Sequence, residues 1–357
     1  MPTKKKVVFG VFDWGLGHAT RCKPLAQALL KAGCTVDFIS TGRAIKVLKE
    51  HFGNRCEYHD VPSVTSPYTA SEHFVLNFII NGPKMLKSLK RARAISKVII
   101  EEGGYDLVIS DCRYDVYGEE KRSYLINHQL RFAAPVGAEM FAEAWLAHRM
   151  GKYRKVIVPD YEGKDNLTGR LSHKLNFIKR RKIEYIGHIS HIERKKCKKD
   201  IDYLISLTGP EPQRSLLEEM IFAQVRELEG SVIIAGGNPD TDKPKIPGNV
   251  TYHPYLGTEE MCDCLNRCKC FISRSGYTSM MELAEVGVRE ALLVPTPGQT
   301  EQVYLGKYYR KRGYFHSVKQ KNLSLRADVK EAERGDGFSP EWDSRQSVKN
   351  FLSVVGV

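Results

Sequence analysis

The stretch "ISRSGYTSMMELAEVG", residues 272–287, starts as an apolar strand, breaks at Ser-Arg-Ser-Gly and continues with helical spacing to Gly287. A strand that hands directly to a helix is the half-unit of a parallel sheet covered by helices. The handover leaves first-turn amides unpaired at the positive end of a helix dipole, a place that attracts anions. Ser275 and Gly276 would hold such an anion, the serine through its hydroxyl and the glycine through close backbone approach. Glu282 lies too far along the helix to meet a phosphate, which its like charge would repel. A carboxylate there suits two hydroxyl hydrogen bonds, as from a ribose, against the plainer reading of a solvated helical glutamate.

The same alternation extends through the chain. VVFGVF (7–12), TVDFIS (35–40), DLVISD (106–111), SYLINH (123–128) and VIVPD (156–160) read as strands, with LAQALLKAG (25–33) a helix carrying Pro24 in its first turn. A further helix starts at Pro83, with Met85, Leu89, Ala92, Ile95 and Ile99 on one face. A second series follows: DYLISLTG (202–209), SVIIAGG (231–237), NVTYHPYL (249–256), CFISRSG (270–276) and ALLVPTPG (291–298). The expected fold is α/β, two Rossmann-like doubly wound domains facing a central cleft. The domains are placed at 1–195 and 196–340, with 341–357 a terminal helix packing back on the first. The Lys/Arg-dense residues 164–199 approach the linker.

At 357 residues with 42% apolar and 27% charged content, the composition is that of a soluble globular protein without a membrane-spanning run. A cytoplasmic location is expected, because the nine cysteines are an odd, scattered set and the lysine-led N-terminus reads as a first strand. Cys262, Cys264, Cys268 and Cys270 lack the paired spacing of a zinc ribbon. The Asp200/Asp202 and Asp240/Asp242 pairs precede a strand and lie in a turn, so no metal is expected. The net charge of +13 favours anionic partners. It is spread without interleaved aromatics, which disfavours nucleic acid. FVLNFII (74–80), followed by Lys84, Lys87, Lys90, Arg91, Arg93 and Lys97, would dock on an anionic membrane surface, or else be a buried segment beside a solvated face.

Ligands of open α/β sheets bind beyond the carboxyl ends of strands. In the first half these positions include "DWGLGH" (13–18), with Asp13, Gly15, Gly17 and His18, then Asp111 with Arg113, and "NHQ" with Asn127, His128 and Gln129. DWGLGH has neither the third glycine of a dinucleotide fingerprint nor the lysine of a P-loop. His18 titrates near neutrality and could take a proton from a hydroxyl, or simply pack at a turn. In the second half the positions include "TGPEPQR" (208–214), with Gly209 and Arg214 as phosphate contacts, Gly236, the turn at Tyr255 and Leu256, and "PTPGQTEQ" (295–302), with Gln299, Glu301 and Gln302 suited to sugar hydroxyls.

Together these residues resemble the GT-B glycosyltransferases, especially MurG-type N-acetylglucosaminyltransferases and plant galactolipid synthases. The motif match is strongest from Val250 to Gly287, through Tyr255-Leu256, Met261 and "CFISRSG". The resemblance implies that the Leu256 backbone reads uracil, Ser275 and Gly276 hold diphosphate, Glu282 grips ribose, and "PGQTEQ" reads the sugar. NHQ is similar to the family's His-Glu-Gln-Asn, and GLGH to the loop whose histidine is a candidate base. Where MurG carries a second glycine-rich loop, this chain has "DCRYDVYGEE" (111–120), with Arg113 the substitute anion contact. The implied activity is metal-free, inverting transfer of a hexose or N-acetylhexosamine from a UDP-sugar to a lipid-linked or glycan hydroxyl, at the inner membrane face. His18, or failing it Asp13 or Asp111, would be the base. Two alternatives stand beside it: a sugar-nucleotide epimerase or hydrolase of the same fold, and a non-catalytic nucleotide-sugar-binding protein.

Overall fold

The computed structural model describes residues 4–64, 74–133, 136–238, 248–338 and 342–357, and within these the side chains of 74–80 and 136 are not described. Two compact units divide the chain. Among the described residues, the first comprises 4–64, 75–133, 136–191 and 343–357, and the second comprises 192–238, 248–338 and Trp342. Asp240 and Asp242 fall outside the described residues.

The first unit is a seven-stranded parallel sheet in the order β3-β2-β1-β4-β5-β6-β7. Its strands are β1 (Lys6–Val11), β2 (Thr35–Ser40), β3 (Glu57–Asp60), β4 (Leu107–Asp111), β5 (Ser123–Ile126), β6 (Lys155–Val158) and β7 (Ile183–Tyr185). The helices are α1 (Leu16–Lys31), α2 (Gly42–Phe52), α3 (Phe74–Gly103) and α4 (Val136–Met150). The unbroken apolar runs predicted as strands are what a sheet buried on both faces needs. Val8, Ile39, Val108 and Val116 form part of one core cluster, and Leu125, Leu146 and Val156 part of another. Gly10 has a packing role. A Cβ there would lie 2.8 Å from Val116, so the bare backbone of β1 lets the loop after β4 cross close above it.

The second unit is a six-stranded parallel sheet in the order β10-β9-β8-β11-β12-β13. Its strands are β8 (Ile201–Ser206), β9 (Val232–Ala235), β10 (Val250–His253), β11 (Cys268–Ser273), β12 (Glu290–Leu293) and β13 (His316–Ser317). The helices are α5 (Gln213–Gln224), α6 (Thr258–Arg267), α7 (Tyr277–Val286), α8 (Thr300–Lys311) and α9 (Leu325–Ala332). Ile205, Leu217, Ile234, Ile272 and Leu292 belong to its core. A last helix, α10 (Ser344–Val355), starts at Asp343, whose side chain accepts from the Arg345 amide, and packs against α1 in the first unit.

Three sequence readings change. Pro24 lies inside α1, which begins at Leu16, because the buried face Ala19, Cys22, Leu25, Ala26 and Leu29 runs through it. Pro83 likewise lies inside α3. The buried stripe of α3 is Leu89, Ala92, Ser96 and Ile100, while Ile95 is exposed. Periodicity of apolar residues missed this phase because Ser96 supplies a hydrogen bond to buried Asp115 instead of apolar surface.

The remaining metal-like patterns resolve into packing. Asp200 pairs with Arg267, and Asp202 with Lys269 and Ser231. The four clustered cysteines are buried free thiols, and burial holds the Cys264, Cys268 and Cys270 thiols above their ordinary pKa, that of Cys268 at about 12.

Candidate active site

Each sheet reverses its winding once, between β1 and β4 in the first unit and between β8 and β11 in the second. A crevice opens at such a point beyond the strand ends. At the first, β1 delivers Asp13 to His18 and β4 ends on Asp111. Asp111 is fully buried and accepts from Arg21 Nε at 3.2 Å, from Arg21 Nη2, and from His18 Nδ1 at 2.9 Å. Arg21 stands one turn after His18 on α1, which brings both side chains to the same carboxylate. Arg21 and His18 hold the Asp111 carboxyl well below the usual range, against burial, which pushes it up.

The tautomer of His18 follows from these partners. Its Nδ1 lies 2.9 Å from Asp111 and 3.0 Å from Arg21 Nη2. Because the ionised Asp111 carboxylate can only accept, its 2.9 Å approach assigns the proton to Nδ1 and leaves the Nε2 lone pair available. Burial, then the neighbouring Arg21 charge, lowers the His18 pKa below 6.5, so the ring is neutral at physiological pH. The side chain remains 19% exposed, with Phe12 edge-on to it. His128 takes the complementary state: its Nδ1 accepts from Arg21 Nη1 at 3.1 Å, which puts its proton on Nε2. The site therefore presents the His18 Nε2 lone pair beside a fixed guanidinium that also holds His128.

His18, Asp111 and Cys112 bring ligand atoms within 4.8 Å of one another, but Arg21 donates to both Asp111 and Cys112 Sγ and fills the place a cation would need. Cys112 adopts a φ of 56°, a left-handed conformation costly for a residue with a side chain, directly after the buried carboxylate.

The other predicted residues of this unit divide by their contacts. Asp13 accepts from Ser63 and its carbonyl from the Gly15 amide, so it organises the loop. Gly15 precedes α1 and Gly17 lies in its first turn. Asn127 spans the amide of Gln129 and the hydroxyl of Tyr114, bracing the loop after β5. Arg113 is a correction: it is 1% exposed, donates through Nε and Nη2 to Asp115 at 2.8 Å each and through Nη1 to the Val61 carbonyl, so its charge is spent inside the fold. Asp111 is engaged by Arg21 and accepts from His18 Nδ1, which orients the ring.

At the second switch point, α7 begins at Tyr277 with Gly276 as N-cap and no side chain capping its first turn. Ser275 is fully buried and donates its hydroxyl to the Gln302 carbonyl, so its predicted hydroxyl contact with an anion gives way to backbone amides. Gln302 Oε1 in turn accepts from the Thr296 amide, and a Cβ on Gly276 would lie 4.0 Å from its Nε2. Gln299 is the N-cap residue of α8 and Glu301 stands in its first turn. Glu282 is half-buried, and desolvation raises its carboxyl to about 8. Leu256 is buried beside an exposed Tyr255, and Met261 is half-buried on α6.

Arg214 is the second correction. It is buried, and donates to Glu211, Glu218, Ser215 and the Gly236 carbonyl, so a phosphate would find its charge already balanced. The cation that sequence reasoning left without a role is Arg274. It is 1% exposed at the end of β11, and its Nη groups donate to the carbonyls of Val294, Pro295 and Gln213 and to the Gln320 side-chain oxygen. Arg21 was missed as well, though its spacing from His18 was a readable signal.

No family model matches the sequence. The chain is similar to an uncharacterized glycosyltransferase of Methanosarcina mazei, 24% identical over 341 residues covering 87% of this chain and 84% of that one. Among solved structures it is similar to CalG4, the calicheamicin glycosyltransferase, with a TM-score of 0.64 and 15% identity over 99% of this chain and 94% of that one. Acinetobacter baumannii MurG gives a TM-score of 0.59 at 13% identity, with 99% of each chain covered. Arabidopsis thaliana UGT89C1, solved in complex with UDP-L-rhamnose, gives 0.63 at 12% identity, again over 99% of each. With its two parallel sheets, the chain is built on the fold of the GT-B glycosyltransferases.

Proposed function

We propose that the protein is a glycosyltransferase that moves a hexose or N-acetylhexosamine from a UDP-sugar to an acceptor hydroxyl, with inversion and without a metal. The observation that carries this reading is His18, held neutral and oriented by Asp111 at a strand-end crevice. The acceptor O–H proton passes to His18 Nε2 as the oxygen attacks the anomeric carbon. The bond from that carbon to the diphosphate oxygen breaks, and UDP leaves with the electron pair. Asp111 stabilises the imidazolium that forms. Gln129, with His128 held beside it by Arg21, would line the acceptor side. On the donor side, the first-turn amides of α7 would receive the developing diphosphate charge, which is electrostatic stabilisation without a metal. Glu282 would hold the ribose, the Leu256 backbone the uracil, and Gln299, Glu301 and Gln302 the sugar.

The test is a panel of UDP, dTDP, GDP and UDP-sugars in thermal-shift assays on the wild type and Glu282→Ala, followed by transfer assays with the stabilising donor. Stabilisation of the wild type by UDP ligands, reduced in the variant, is expected. Equal stabilisation of both proteins, or of neither, would sink the ribose assignment. Free sugar or an epimer formed from UDP-GlcNAc without acceptor would favour a hydrolase or epimerase.

Association with an anionic membrane surface is proposed separately, on the exposed Lys84, Lys87, Lys90, Arg91 and Lys97 of α3 with Leu86 49% exposed among them. Arg93 leaves that set, because it donates to the Asp115 and Tyr117 carbonyls and stacks on the Tyr117 ring. No helix among the described residues is long and apolar enough to cross a membrane. Cosedimentation with anionic but not neutral vesicles is expected, and binding to neither ends the idea.

A further inference from the structure

We propose that Arg274 is the fixed counter-charge of the donor's diphosphate, with its Nε and Thr296 Oγ1 donating to a phosphoryl oxygen seated at Gly209. This rests on the nucleotide-sugar reading above and adds to it the group that pins the anion.

The guanidinium is anchored from three loops. Nη1 donates to Val294 O at 3.0 Å and to Gln320 Oε1 at 2.7 Å, and Nη2 donates to Gln213 O at 2.6 Å. Every one of these partners is a neutral carbonyl oxygen, so the positive charge is held in place without being cancelled. Burial alone lowers the Arg274 pKa, to about 10, which leaves it ionised at neutral pH. A buried cation without an anion is costly and persists where a ligand completes it.

Among the described residues, two buried donors in this place have no acceptor: Arg274 Nε and Thr296 Oγ1, both on residues 1% exposed. They share one space. A Cβ built on Gly209 would lie 3.6 Å from Thr296 Oγ1 and 3.9 Å from Arg274 Nε. Gly209 itself is exposed and carries a φ of +116°, so an open turn without a side chain lies over two waiting donors and a fixed charge. An oxyanion with several acceptor oxygens fits this donor set, and a phosphoryl group supplies them. Arg214, the other arginine of this crevice, cannot serve in its stead, being neutralised by Glu211 and Glu218.

The experiment compares affinities for uridine, UDP and inorganic pyrophosphate, by ligand-observed NMR or calorimetry, in the wild type, Arg274→Gln, Arg274→Lys, Thr296→Val and Gly209→Ala. In Arg274→Gln, UDP and pyrophosphate affinities are expected to fall by at least about 10-fold, the worth of a charge-assisted bond, while uridine affinity stays within about 3-fold. Arg274→Lys, keeping the charge but losing the fork, falls between. An equal loss for uridine and UDP means that Arg274 only shapes the site, and overturns the proposal. If Arg274→Gln does not fold, Gly209→Ala and Thr296→Val decide the question. Both leave Arg274 in place, and wild-type UDP affinity in both overturns the proposal. Pyrophosphate binding that depends on Arg274 in a protein blind to uridine upholds the anion site and overturns the UDP reading. A wild type that binds neither UDP nor pyrophosphate overturns both.

Discussion

The two switch points have the same strand geometry and opposite charge logic. In the first unit the strand that ends at the crevice, β4, delivers a carboxylate, and α1 brings it a guanidinium and an imidazole. In the second the corresponding strand, β11, delivers a guanidinium, and the loops around it bring only carbonyls. A balanced cluster holds a neutral imidazole and suits proton transfer. An unbalanced one keeps a standing positive field and suits an anion. The repeated fold supplies two crevices, and one buried residue at the end of each central strand decides what each can do.

The largest effect that would break this division is at His18. If the first crevice serves proton transfer alone, His18→Ala lowers the turnover number by about 100- to 10,000-fold while leaving UDP affinity unchanged. A parallel loss of UDP binding in titration would erase the distinction between the crevices. Because the His18 pKa is lowered, its base limb in a pH-rate profile lies below pH 6.5, with activity lost as the ring protonates on the acid side.

Asp111→Asn tests the balance itself. It leaves Arg21 buried without its anion, which costs about 3–5 kcal/mol in unfolding free energy by denaturant titration. The sign with pH is fixed by the depressed carboxyl. Its contribution is present above the unfolded carboxylate value and lost as pH falls through the folded one, so the wild type loses this stability in acid. The variant should lack that acid-dependent part, and a variant as acid-sensitive as the wild type contradicts the assignment.

How much of this was legible depends on whether the signal is local. Strand-length apolar runs and strand-to-helix breaks are local, and they give both sheets and the positions of His18, Asp111, Ser275 and Glu282. Charge compensation is partly local: Glu211 and Glu218 stand three before and four after Arg214, and Asp115 two after Arg113, spacings that warn of a partner. The isolation of Arg274 is not local. Its neighbours Gln213, Val294 with Pro295, and Gln320 come from three segments far apart in sequence, and what matters is that they present oxygens without charge. The entry of α1 eluded the proline rule because a helix packed along its length tolerates one missing N–H.

Glu282 sharpens the comparison from the anionic side of the second crevice. Its carboxyl, raised by desolvation from 4.5 to about 8, is protonated in the folded protein over a range where the unfolded chain has released its proton. Stability therefore declines as pH rises from 4.5 to 8, and the full cost of the charge is carried above that. Glu282→Gln should remove this slope and give a higher Tm than wild type at pH 8.5, while UDP affinity drops by about tenfold as an anionic or protonated acceptor pair becomes an amide. An unchanged pH slope would mean that this crevice does not desolvate its carboxylate.

The smallest effect expected is at Thr296, and it separates a site built for a ligand from one built for stability. A buried hydroxyl without a partner costs about 1–3 kcal/mol, so Thr296→Val, which keeps the branched shape and removes the oxygen, should leave the free protein equally stable or raise its stability by about 1 kcal/mol. In the first crevice the buried polar groups named above are already matched, and the same kind of truncation there destabilises. A Thr296→Val protein that unfolds at lower denaturant concentration than wild type would place this hydroxyl among the structural bonds of the fold. One that is as stable as wild type, yet loses part of its UDP-induced rise in Tm, keeps the second crevice as the one whose hydrogen bonds are completed from outside.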